Sequence, residues 1–499
     1  MGQNISVDKL LCKTAQAFPN KVVIHYENDS ITYSRLNKEV DNLAQGLIDL
    51  GLKSSDKVAA ILENCPDFVR IYFAILRAAG TVVPLNPLYK EDEIQYILND
   101  AKIKFLVIDR ELLPKINKIE AEISDLKIIV IGGTKEKNII PYEELLNKEA
   151  DPVEMNVEEN DLAVCLYTSG TSGRPKGALL SHGNLIFLTK ACITRMDMRT
   201  EDHSLCVIPL AHIFSQLTNM LMPISLGGSV TILPRFIPRA VLNEIAAKNI
   251  SYLCAVPAMY SALLSVLSQA QDLNIASLRV CVSGGAPLPL ETSKVFMEKY
   301  NIPLLEGSGP TEAVACIGPL EANKPGSVGP PLEGVKVKIV NENDQELPQG
   351  EIGEFCVQGP NVMQGYLNLS EATAEALRGG WFHTGDLAKI DEDGYVYLIG
   401  RKKDMILVGG MNVYPSEIEQ CLFSHPQILE AAVIGIPDKD RGEMPKAFIV
   451  LRPGSTSEPK EFILYCRKYL ANYKCPRQVV ILDCLPKNPT GKVDKKQLA

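Results

Sequence analysis

Short apolar runs alternate with amphipathic stretches in the early part of the chain. Residues 56–62 (DKVAAIL) and 81–85 (TVVPL) are almost continuously apolar, which is typical of strands buried on both faces. Residues 67–79, between them, carry apolar side chains at helical spacing. The strand pattern returns at 105–108 and 127–131, around another amphipathic stretch. Because parallel strands need a crossover between them, this alternation predicts an α/β fold with a mostly parallel sheet covered by helices.

The pattern changes beyond Gly334. Residues 335–340 and 354–357 are short strand patterns that lie between turns rich in Asn, Asp, Gly and Pro. They predict a small β-rich subdomain at the end of a large N-terminal domain, for which we set the bounds 1–401.

A charged segment, GRKKD at 400–404, precedes the last part of the chain. Beyond it come a helix pattern at 416–423 and strand patterns at 431–436 and 447–451. These elements predict a separate small α+β lid domain over residues 402–499.

Composition and charge narrow the class of protein. A chain of 499 residues with 46% apolar content can bury large cores. Its formal charge of −9 argues against nucleic acid as a partner, because phosphate backbones are held by clustered Lys and Arg. No apolar run reaches the ~18 residues that span a bilayer, and the first residues lack the core of a signal peptide. We expect a cytoplasmic protein, monomeric or homodimeric, for which weak contact with a membrane surface stays open.

The thirteen cysteines form no C-x-x-C pair, so neither a zinc site nor a disulfide framework is indicated, and most of them should be buried apolar residues. The opening residues MGQNIS fit the loose pattern for myristoylation of Gly2, which we interpret as coincidence.

A loop rich in glycine and hydroxyl groups follows the apolar strand pattern at 162–166. It reads YTSGTSGRPKG over residues 167–177. Glycines allow backbone N–H groups to turn towards an anion, hydroxyls add donors or a contact to Mg²⁺, and Lys176 supplies a positive charge. The order is not that of a Walker A loop, since Lys176 precedes Gly177. The alternative is a solvated turn, but eleven residues in this order after a buried strand favour a phosphate-binding loop.

This loop resembles the signature of the adenylate-forming superfamily, which includes acyl-CoA synthetases such as fatty-acid–CoA ligases. Further motifs follow in the order of the family: PLAH at 209–212, SGGAP at 283–287, GPTE at 309–312, WFHTGD at 381–386, GRKKD at 400–404 and PTGK at 489–492. The resemblance covers essentially the whole chain. It implies ATP-dependent formation of an acyl-adenylate, then transfer of the acyl group to coenzyme A with release of AMP and pyrophosphate.

The resemblance also implies site residues. Those assigned to the nucleotide are Thr168, Ser169, Gly170, Thr171, Ser172, Lys176, Gly284, Gly285, Ala286, Glu306, Gly307, Ser308, Thr311, Asp386, Arg401 and Lys492. Thr168 and Glu312 look like the contacts to Mg²⁺, a cation that prefers oxygen ligands. Asp386 and Arg401 resemble the ribose-binding pair. Ser308 stands where the family usually has Tyr or Phe against the adenine.

The resemblance assigns different residues to formation of the acyl-adenylate and to transfer of the acyl group. Lys492 matches the catalytic lysine of the family, placed where charge builds on the α-phosphate, and His212 and Glu312 complete the catalytic set. For the second step the resemblance implies a hinge at Lys403, about which the mobile C-terminal domain rotates. Gly409, Gly410 and Arg235 are then assigned to coenzyme A, the glycines because they allow close backbone approach. The alternative for the two glycines is a hairpin turn.

The acid is inferred mainly from absences. Amino-acid-activating relatives have an Asp near the segment of His212 that pairs with the substrate ammonium. Residues 210–220 contain no acidic side chain here, which argues against an amino acid. Gly309 stands where acetate-activating relatives have a Trp that closes the pocket, so a longer pocket is expected. Its predicted lining is His212, Ile213, Phe214, Val256, Met259, Tyr260 and Gly309. A medium- or long-chain fatty acid is the first hypothesis, and an aryl or cyclic acid is the second.

Two other functions stay open from the sequence. One is an adenylating enzyme that loads a carrier protein or forms an amide, and the other is a degenerate sensor of nucleotide or acyl chains. The sensor is disfavoured because the residues assigned to catalysis and to the nucleotide are present, namely Thr168, Lys176, Glu312, Asp386, Arg401 and Lys492.

Replacement of Lys492 by alanine tests the assigned catalytic role. Lys492→Ala should lose most acid-dependent pyrophosphate release and keep ATP binding, because the cation is needed only where charge builds in the transition state. A coupled pyrophosphate assay and calorimetric ATP titration measure the two properties. Equal activity of the variant and the parent would refute the role.

Overall fold

The computed structural model describes residues 6–120, 125–133, 139–168, 174–268, 273–487 and 493–498. Its strands, numbered along the chain, are β1 Val22–Tyr26, β2 Asp29–Thr32, β3 Lys57–Ile61, β4 Thr81–Leu85, β5 Phe105–Asp109, β6 Lys127–Ile131, β7 Ile139–Pro141, β8 Leu162–Thr168, β9 Lys176–Ser181, β10 His203–Cys206, β11 Ser229–Ile232, β12 Tyr252–Ala255, β13 Val280–Gly284, β14 Leu304–Ser308, β15 Cys316–Ile317, β16 Lys336–Val340, β17 Gly353–Gln358, β18 Gly365–Tyr366, β19 Phe382–Ile390, β20 Val396–Arg401, β21 Ile406–Val408, β22 Met411–Val413, β23 Ile428–Asp438, β24 Gly442–Leu451 and β25 Gln478–Ile481.

The helices follow the same numbering. They are α1 Val7–Ala17, α2 Tyr33–Asp49, α3 Pro66–Arg77, α4 Glu91–Asp100, α5 Leu113–Glu120, α6 Tyr142–Leu146, α7 His182–Arg195, α8 Ile213–Ser215, α9 Met222–Leu226, α10 Pro238–Lys248, α11 Pro257–Leu267, α12 Leu290–Tyr300, α13 Ser370–Ala376, α14 Pro415–Phe423 and α15 Pro459–Tyr469. A π-helical stretch, Gln216–Leu221, joins α8 to α9, and short 3₁₀ turns occur at Arg110–Leu112, Arg378–Gly380, Lys402–Asp404 and Lys495–Gln497.

Two large sheets form the N-terminal part. Sheet I has the strand order β18-β9-β8-β4-β3-β5-β6-β7, and sheet II has the order β15-β14-β13-β12-β10-β11-β1-β2. In both sheets the central pairings are parallel, whereas β9 and β18 in sheet I and β2 and β15 in sheet II pair antiparallel at the edges. The predicted mostly parallel sheet under helices is therefore confirmed, although the structure has two such sheets.

The central strands of sheet I are buried on both faces. Val58 and Ala60 of β3 belong to the main core, and Ala59 and Ile61 belong to a second core on the opposite face. Successive strand residues point to opposite faces, so a sheet covered on both sides needs apolar residues at every position. This requirement explains the continuous apolar runs in the sequence.

Two smaller sheets follow in the later part of the chain. Sheet III, with the order β16-β17-β19-β20, is wholly antiparallel and corresponds to the predicted β-rich subdomain. Sheet IV joins β21 to β25 with α14 and α15 and has cores of its own. The 3₁₀ turn Lys402–Asp404 lies between the two sheets and contains the predicted hinge residue Lys403. The predicted mixed α/β class with a small C-terminal domain is thus confirmed.

The cysteines are free, and ten of the thirteen are buried, as the sequence predicted for most of them. Across the described ranges, no helix has both the length and the apolar character needed to cross a membrane.

One buried ion cluster ties three helices together. Arg77, near the end of α3, has a side chain that is 1% exposed and pairs with Asp41 of α2 at 2.9 Å between Nη1 and Oδ1. Asp8 of α1 lies 3.9 Å from its Nε, and the Asn37 side chain accepts a hydrogen bond of 2.8 Å from Nη2. Removing one partner of such a cluster leaves buried charge uncompensated.

Substitution of Arg77 by methionine should therefore destabilise the fold. We expect Arg77→Met to lower the free energy of unfolding by about 3–5 kcal/mol, because Asp8 and Asp41 would keep buried charge without a cation. Chemical denaturation followed by circular dichroism measures the loss. Arg199→Met is the matched control, since Arg199 pairs with Asp197 and both side chains are about 60% exposed. Equal shifts of the two midpoints would contradict the explanation.

Candidate active site

The predicted phosphate loop closes an antiparallel hairpin. Strand β8 ends at Thr168 and β9 begins at Lys176, and these two residues face each other in the ladder. The structure thus brings the two ends of the loop together. Ser169, Gly170, Thr171 and Ser172 lie outside the described residues, as does Lys492.

The base of the hairpin is tightly packed. A Cβ on Gly177 would lie 2.8 Å from Cys165 Sγ and 3.2 Å from Tyr167 Cζ, so only glycine fits there without displacing a neighbour. The Tyr167 hydroxyl donates to Asp100 Oδ2 at 2.6 Å. Burial and this carboxylate raise the pKa of Tyr167 well above its usual range. The two strand ends that flank the loop are therefore held in place.

Glu312 lies beside the hairpin with its carboxylate buried. The residue is 7% exposed, and its Oε1 accepts hydrogen bonds from Thr168 Oγ1 at 3.2 Å and from the Tyr366 hydroxyl at 2.9 Å. Within the described ranges no ion pair reaches Glu312. A buried carboxylate without a cationic partner is unfavourable, so Thr168 and Glu312 fit a hard cation such as Mg²⁺.

Tyr366 is a site residue that the sequence did not reveal. It lies on β18, opposite Ala178 of β9, and the Lys176 ammonium lies 5.0 Å from the centre of its ring. Burial, followed by the Glu312 carboxylate, raises the pKa of Tyr366 well above its usual range. Tyr366 and Glu312 are 54 positions apart, and no short motif joins them.

The predicted adenine-binding segments are neighbours in sheet II. Strands β13 and β14 are parallel, with Ser283 facing Glu306 and Gly284 facing Gly307. A Cβ on Gly284 would lie 3.2 Å from Cζ of Phe214, so the glycine allows the Phe214 ring to approach the backbone. The structure therefore brings Gly284, Gly285 and Ala286 close to Glu306, Gly307 and Ser308, as their assignment to one ligand requires.

Within this group the Glu306 carboxylate has backbone partners. Oε1 accepts from the Gly326 N–H at 3.1 Å, and Oε2 accepts from the Leu288 N–H at 3.4 Å. Burial raises the pKa of Glu306 to about 7, and the two N–H groups only partly oppose this. In this structure Glu306 joins two loops beneath the proposed adenine site.

Asp386 and Arg401 form the predicted pair in sheet III. They face each other across the antiparallel strands β19 and β20, and Arg401 Nε lies 2.7 Å from Asp386 Oδ1. The Asp386 N–H donates to Thr384 Oγ1 at 3.0 Å, which fixes the backbone at this point. A carboxylate held in this way can accept hydrogen bonds from vicinal hydroxyls.

A cavity lies between the two large sheets. It is lined by Pro84, Asn86, Tyr89, Leu166, Tyr167, Ile208, Pro209, Ala211, His212, Ile213, Phe214, Val256, Gly285 and Thr311. His212 caps α8, and its Nδ1 accepts the Phe214 N–H at 3.3 Å, so a neutral ring carries its proton on Nε2. Because Gly285 and Thr311 belong to the predicted nucleotide set, the cavity adjoins the predicted nucleotide site.

Three residues predicted to line the pocket lie elsewhere. Tyr260 is fully buried in the core behind sheet II, and its hydroxyl donates to the carbonyls of Leu253 and Val282. Met259 packs against the same core.

Gly309 is the third, and its lack of a side chain does not lengthen the cavity. A Cβ on Gly309 would lie 2.2 Å from Cα of Val314, so a side chain there would meet the backbone of its own turn. In this structure Gly309 accommodates that close approach and does not line the cavity.

The residues assigned to coenzyme A lie at the surface. Gly409 and Gly410 form a two-residue turn between β21 and β22, with φ of 56° and 83°, where glycine avoids strain. The structure therefore shows the hairpin turn, and contact of these glycines with coenzyme A stays a prediction. Arg235 has an exposed side chain whose Nη2 lies 3.3 Å from Glu63 Oε1.

Comparison with known proteins identifies the family. The family model described as AMP-binding enzyme matches residues 11–367, and that of its C-terminal domain matches residues 417–492. The chain belongs to the AMP-binding enzymes.

The similar proteins of this family are ligases for different acids. The chain is 34% identical to a long-chain-fatty-acid–CoA ligase of Bacillus subtilis (strain 168), covering 99% of this chain and 94% of that protein. It is 33% identical to a feruloyl-CoA synthase of Amycolatopsis, covering 97% of each. The crystal structure of an anthranilate CoA ligase, AuaEII, in complex with anthranoyl-AMP, superposes with a TM-score of 0.94 at 27% identity, covering 100% of this chain and 97% of that one. These matches confirm the predicted enzyme class, an acid–thiol ligase that forms an acyl-adenylate, and leave the acid unspecified.

The raised pKa of Glu306 predicts a pH dependence of stability in this AMP-binding enzyme. An acid whose pKa rises on folding stabilises the folded state below its unfolded pKa, near 4.5, and this contribution is lost as pH rises through about 7. Glu306→Gln should therefore gain stability relative to the parent between pH 4.5 and 7.5, on the order of 1–3 kcal/mol. Urea denaturation at both pH values measures the difference. A difference that does not change with pH would contradict the assignment.

Proposed function

We propose that the enzyme activates an apolar carboxylic acid, foremost a medium- or long-chain fatty acid, and transfers the acyl group to coenzyme A. The observation that carries this proposal is the chemistry of the cavity beside His212, Gly285 and Thr311, whose described lining contains no Asp, Glu, Lys or Arg. The cavity measures about 60 Å³ in this structure, so it must widen to admit a chain of that length. An uncharged and largely apolar lining stabilises a hydrocarbon chain and disfavours an ammonium group or a second carboxylate.

In this proposal the carboxylate of the acid lies at the end of the cavity formed by Gly285 and Thr311, next to the α-phosphate of ATP. A carboxylate oxygen attacks the α-phosphorus, and the bond to pyrophosphate breaks. Lys176 and Lys492 then offset negative charge that builds on the phosphate oxygens, and Lys176 does so from the base of the phosphate loop. In the same proposal, the Nε2–H group of His212 lies beside the reacting carboxylate.

Magnesium is proposed from the donor set. Thr168 and Glu312 supply a hydroxyl and a carboxylate beside the phosphate loop, and the carboxylate has hydrogen bonds but no cationic partner in the described part of the chain. A bound Mg²⁺ would neutralise charge on the phosphates. The protein contributes the orientation of both oxygen ligands.

Asp386 and Arg401 are proposed to hold the ribose. The ion pair keeps the Asp386 carboxylate in a fixed orientation, from which it can accept hydrogen bonds from the two ribose hydroxyls. Both residues lie on paired strands of sheet III and precede the proposed hinge at Lys403, so this contact stays in place while the C-terminal domain moves between the two steps of the reaction.

The proposed coenzyme A residues act in the second step. The turn of Gly409 and Gly410 lacks side chains, so the pantetheine arm could pass close to its backbone. Arg235 offers a positive charge at the surface for the phosphates of coenzyme A. In this step the thiol attacks the acyl carbonyl and AMP leaves.

An aryl acid is the second candidate, and a specific observation favours it. Four ring side chains line the cavity, namely Tyr89, Tyr167, His212 and Phe214. Aromatic walls stack on a flat substrate as well as on an alkyl chain. Among similar proteins, one is named for feruloyl-CoA and another for anthranilate.

The location and assembly of the enzyme stay predictions. A cytoplasmic location agrees with thirteen free cysteines, because thiols persist in a reducing compartment. A monomer or a homodimer is expected in solution.

A panel of acids tests the proposal. Purified enzyme with ATP, Mg²⁺ and coenzyme A should turn over decanoate with a kcat/KM at least about a hundredfold above that for acetate, because each buried CH₂ contributes about 0.8 kcal/mol. Pyrophosphate release and thioester formation are measured in parallel, with ferulate and benzoate as aryl acids. Glu312→Gln serves as the inactive control.

Each outcome of the panel decides between the candidates. A preference for ferulate or benzoate over decanoate would replace the fatty acid by an aryl acid. Pyrophosphate release without thioester would exclude free coenzyme A and favour a carrier protein as the acceptor. Absence of acid-dependent pyrophosphate release with every acid would overturn the proposed chemistry.

A further inference from the structure

One side chain contacts both charged residues at the phosphate end of the site. The Tyr366 hydroxyl donates to Glu312 Oε1 at 2.9 Å, and Lys176 Nζ lies over the ring at 5.0 Å from its centre. Thr168 Oγ1 shares the same carboxylate oxygen at 3.2 Å. Both hydrogen bonds fall on Oε1, so they orient the carboxylate and do not use Oε2.

The contacts keep two opposite charges apart. Lys176 and Glu312 touch different parts of Tyr366, and no ion pair joins them in the described structure. A direct ion pair between this ammonium and this carboxylate would neutralise both groups. The lysine would then be less available to a phosphate, and the carboxylate would be less available to a metal ion.

The backbone holds Tyr366 in this place. Strand β18 pairs with β9, and the N–H of Leu367 donates to the carbonyl of Gly177 at 2.8 Å. The N–H of Tyr366 donates to Thr373 Oγ1 at 2.8 Å. On the other side of the segment, the N–H of Met363 donates to the carbonyl of Glu312 at 2.8 Å. The segment of Tyr366 is thus hydrogen-bonded both to the phosphate hairpin, formed by β8 and β9, and to the turn that carries Glu312.

We propose that Tyr366 is a positioning residue that aims Glu312 at the metal ion and holds Lys176 at the phosphates by keeping the two from pairing. The inference rests on the proposed function, because it takes the site to bind ATP with Mg²⁺. The Tyr366 hydroxyl orients the Glu312 carboxylate through a hydrogen bond, and the Tyr366 ring holds the Lys176 ammonium through a cation–π contact.

Two substitutions separate the two contacts. Tyr366→Phe keeps the ring and removes only the hydrogen bond, so ATP affinity without metal should be unchanged. Its affinity for ATP with Mg²⁺ should fall about tenfold, the loss typical of one hydrogen bond to a charged group. Tyr366→Leu removes the ring as well, so it should weaken ATP binding both with and without Mg²⁺. Isothermal titration calorimetry with ATP, in EDTA or in Mg²⁺, measures each affinity without turnover.

Tyr397→Phe is a matched control. The Tyr397 hydroxyl donates to Asp391 Oδ2 at 3.3 Å, and Lys389 Nζ lies 5.7 Å from the centre of its ring, so the same two kinds of contact occur outside the proposed site. This variant should bind ATP as the parent does, both in EDTA and in Mg²⁺.

A raised concentration of Mg²⁺ should restore turnover to Tyr366→Phe, which a merely structural defect would not allow.

The outcomes distinguish this inference from the function on which it rests. If the parent binds ATP more tightly with Mg²⁺ and Tyr366→Phe shows the same gain, the positioning role is wrong. The role is also wrong if Tyr397→Phe loses as much as Tyr366→Phe. If the parent itself releases no pyrophosphate in response to any acid, the proposed function fails, whatever the variants show.

Discussion

The buried carboxylate of Glu312, which pairs with no cationic side chain among the described residues, is the constraint on which the site depends. Its side chain accepts hydrogen bonds from β8 and β18, and its backbone carbonyl accepts one from the chain that leads into β18. These bonds compensate only part of the cost of burying a charge. The proposed Mg²⁺ would offset the remaining cost. The protein therefore holds an anion ready for a cation, and this preorganisation is what an electrostatic catalyst needs.

The architecture brings the rest of the site to this carboxylate. Parallel strands at the centres of two sheets carry loops at their carboxyl ends, where open α/β folds bind ligands. The phosphate hairpin extends the edge of sheet I, and the glycine-rich end of β13 belongs to sheet II. The cavity lies between them, bordered by Leu166 and Tyr167 from one sheet and by the segment of His212 from the other. In the proposed function the acid and the nucleotide meet at this cavity, and sheet III adds Asp386 and Arg401.

Several features of the fold and site could be predicted from the sequence because they depend on local order. Continuous apolar runs require strands covered on both faces, so 81–85 and 127–131 became strands with those bounds. The phosphate loop was recognisable because glycines, hydroxyls and a lysine lie in one short segment. The glycines at 409 and 410 were compatible with a turn or a ligand contact, and a local pattern could not decide between them.

What only the tertiary structure decided depends on contacts between distant segments. Tyr366 reaches Glu312 because β18 pairs with β9, and a two-residue strand carries no periodic signal of its own. Tyr260 looked like a pocket residue but packs into the core behind sheet II, since the direction of a helical side chain follows from how the helix is docked. Gly309 looked like an opening in the pocket, yet its missing Cβ makes room for the backbone of Val314. The sequence by itself determined the enzyme class, because its motifs are local and ordered. The folded chain determined which side chains line the cavity and which hold the carboxylate, because those depend on packing across two sheets.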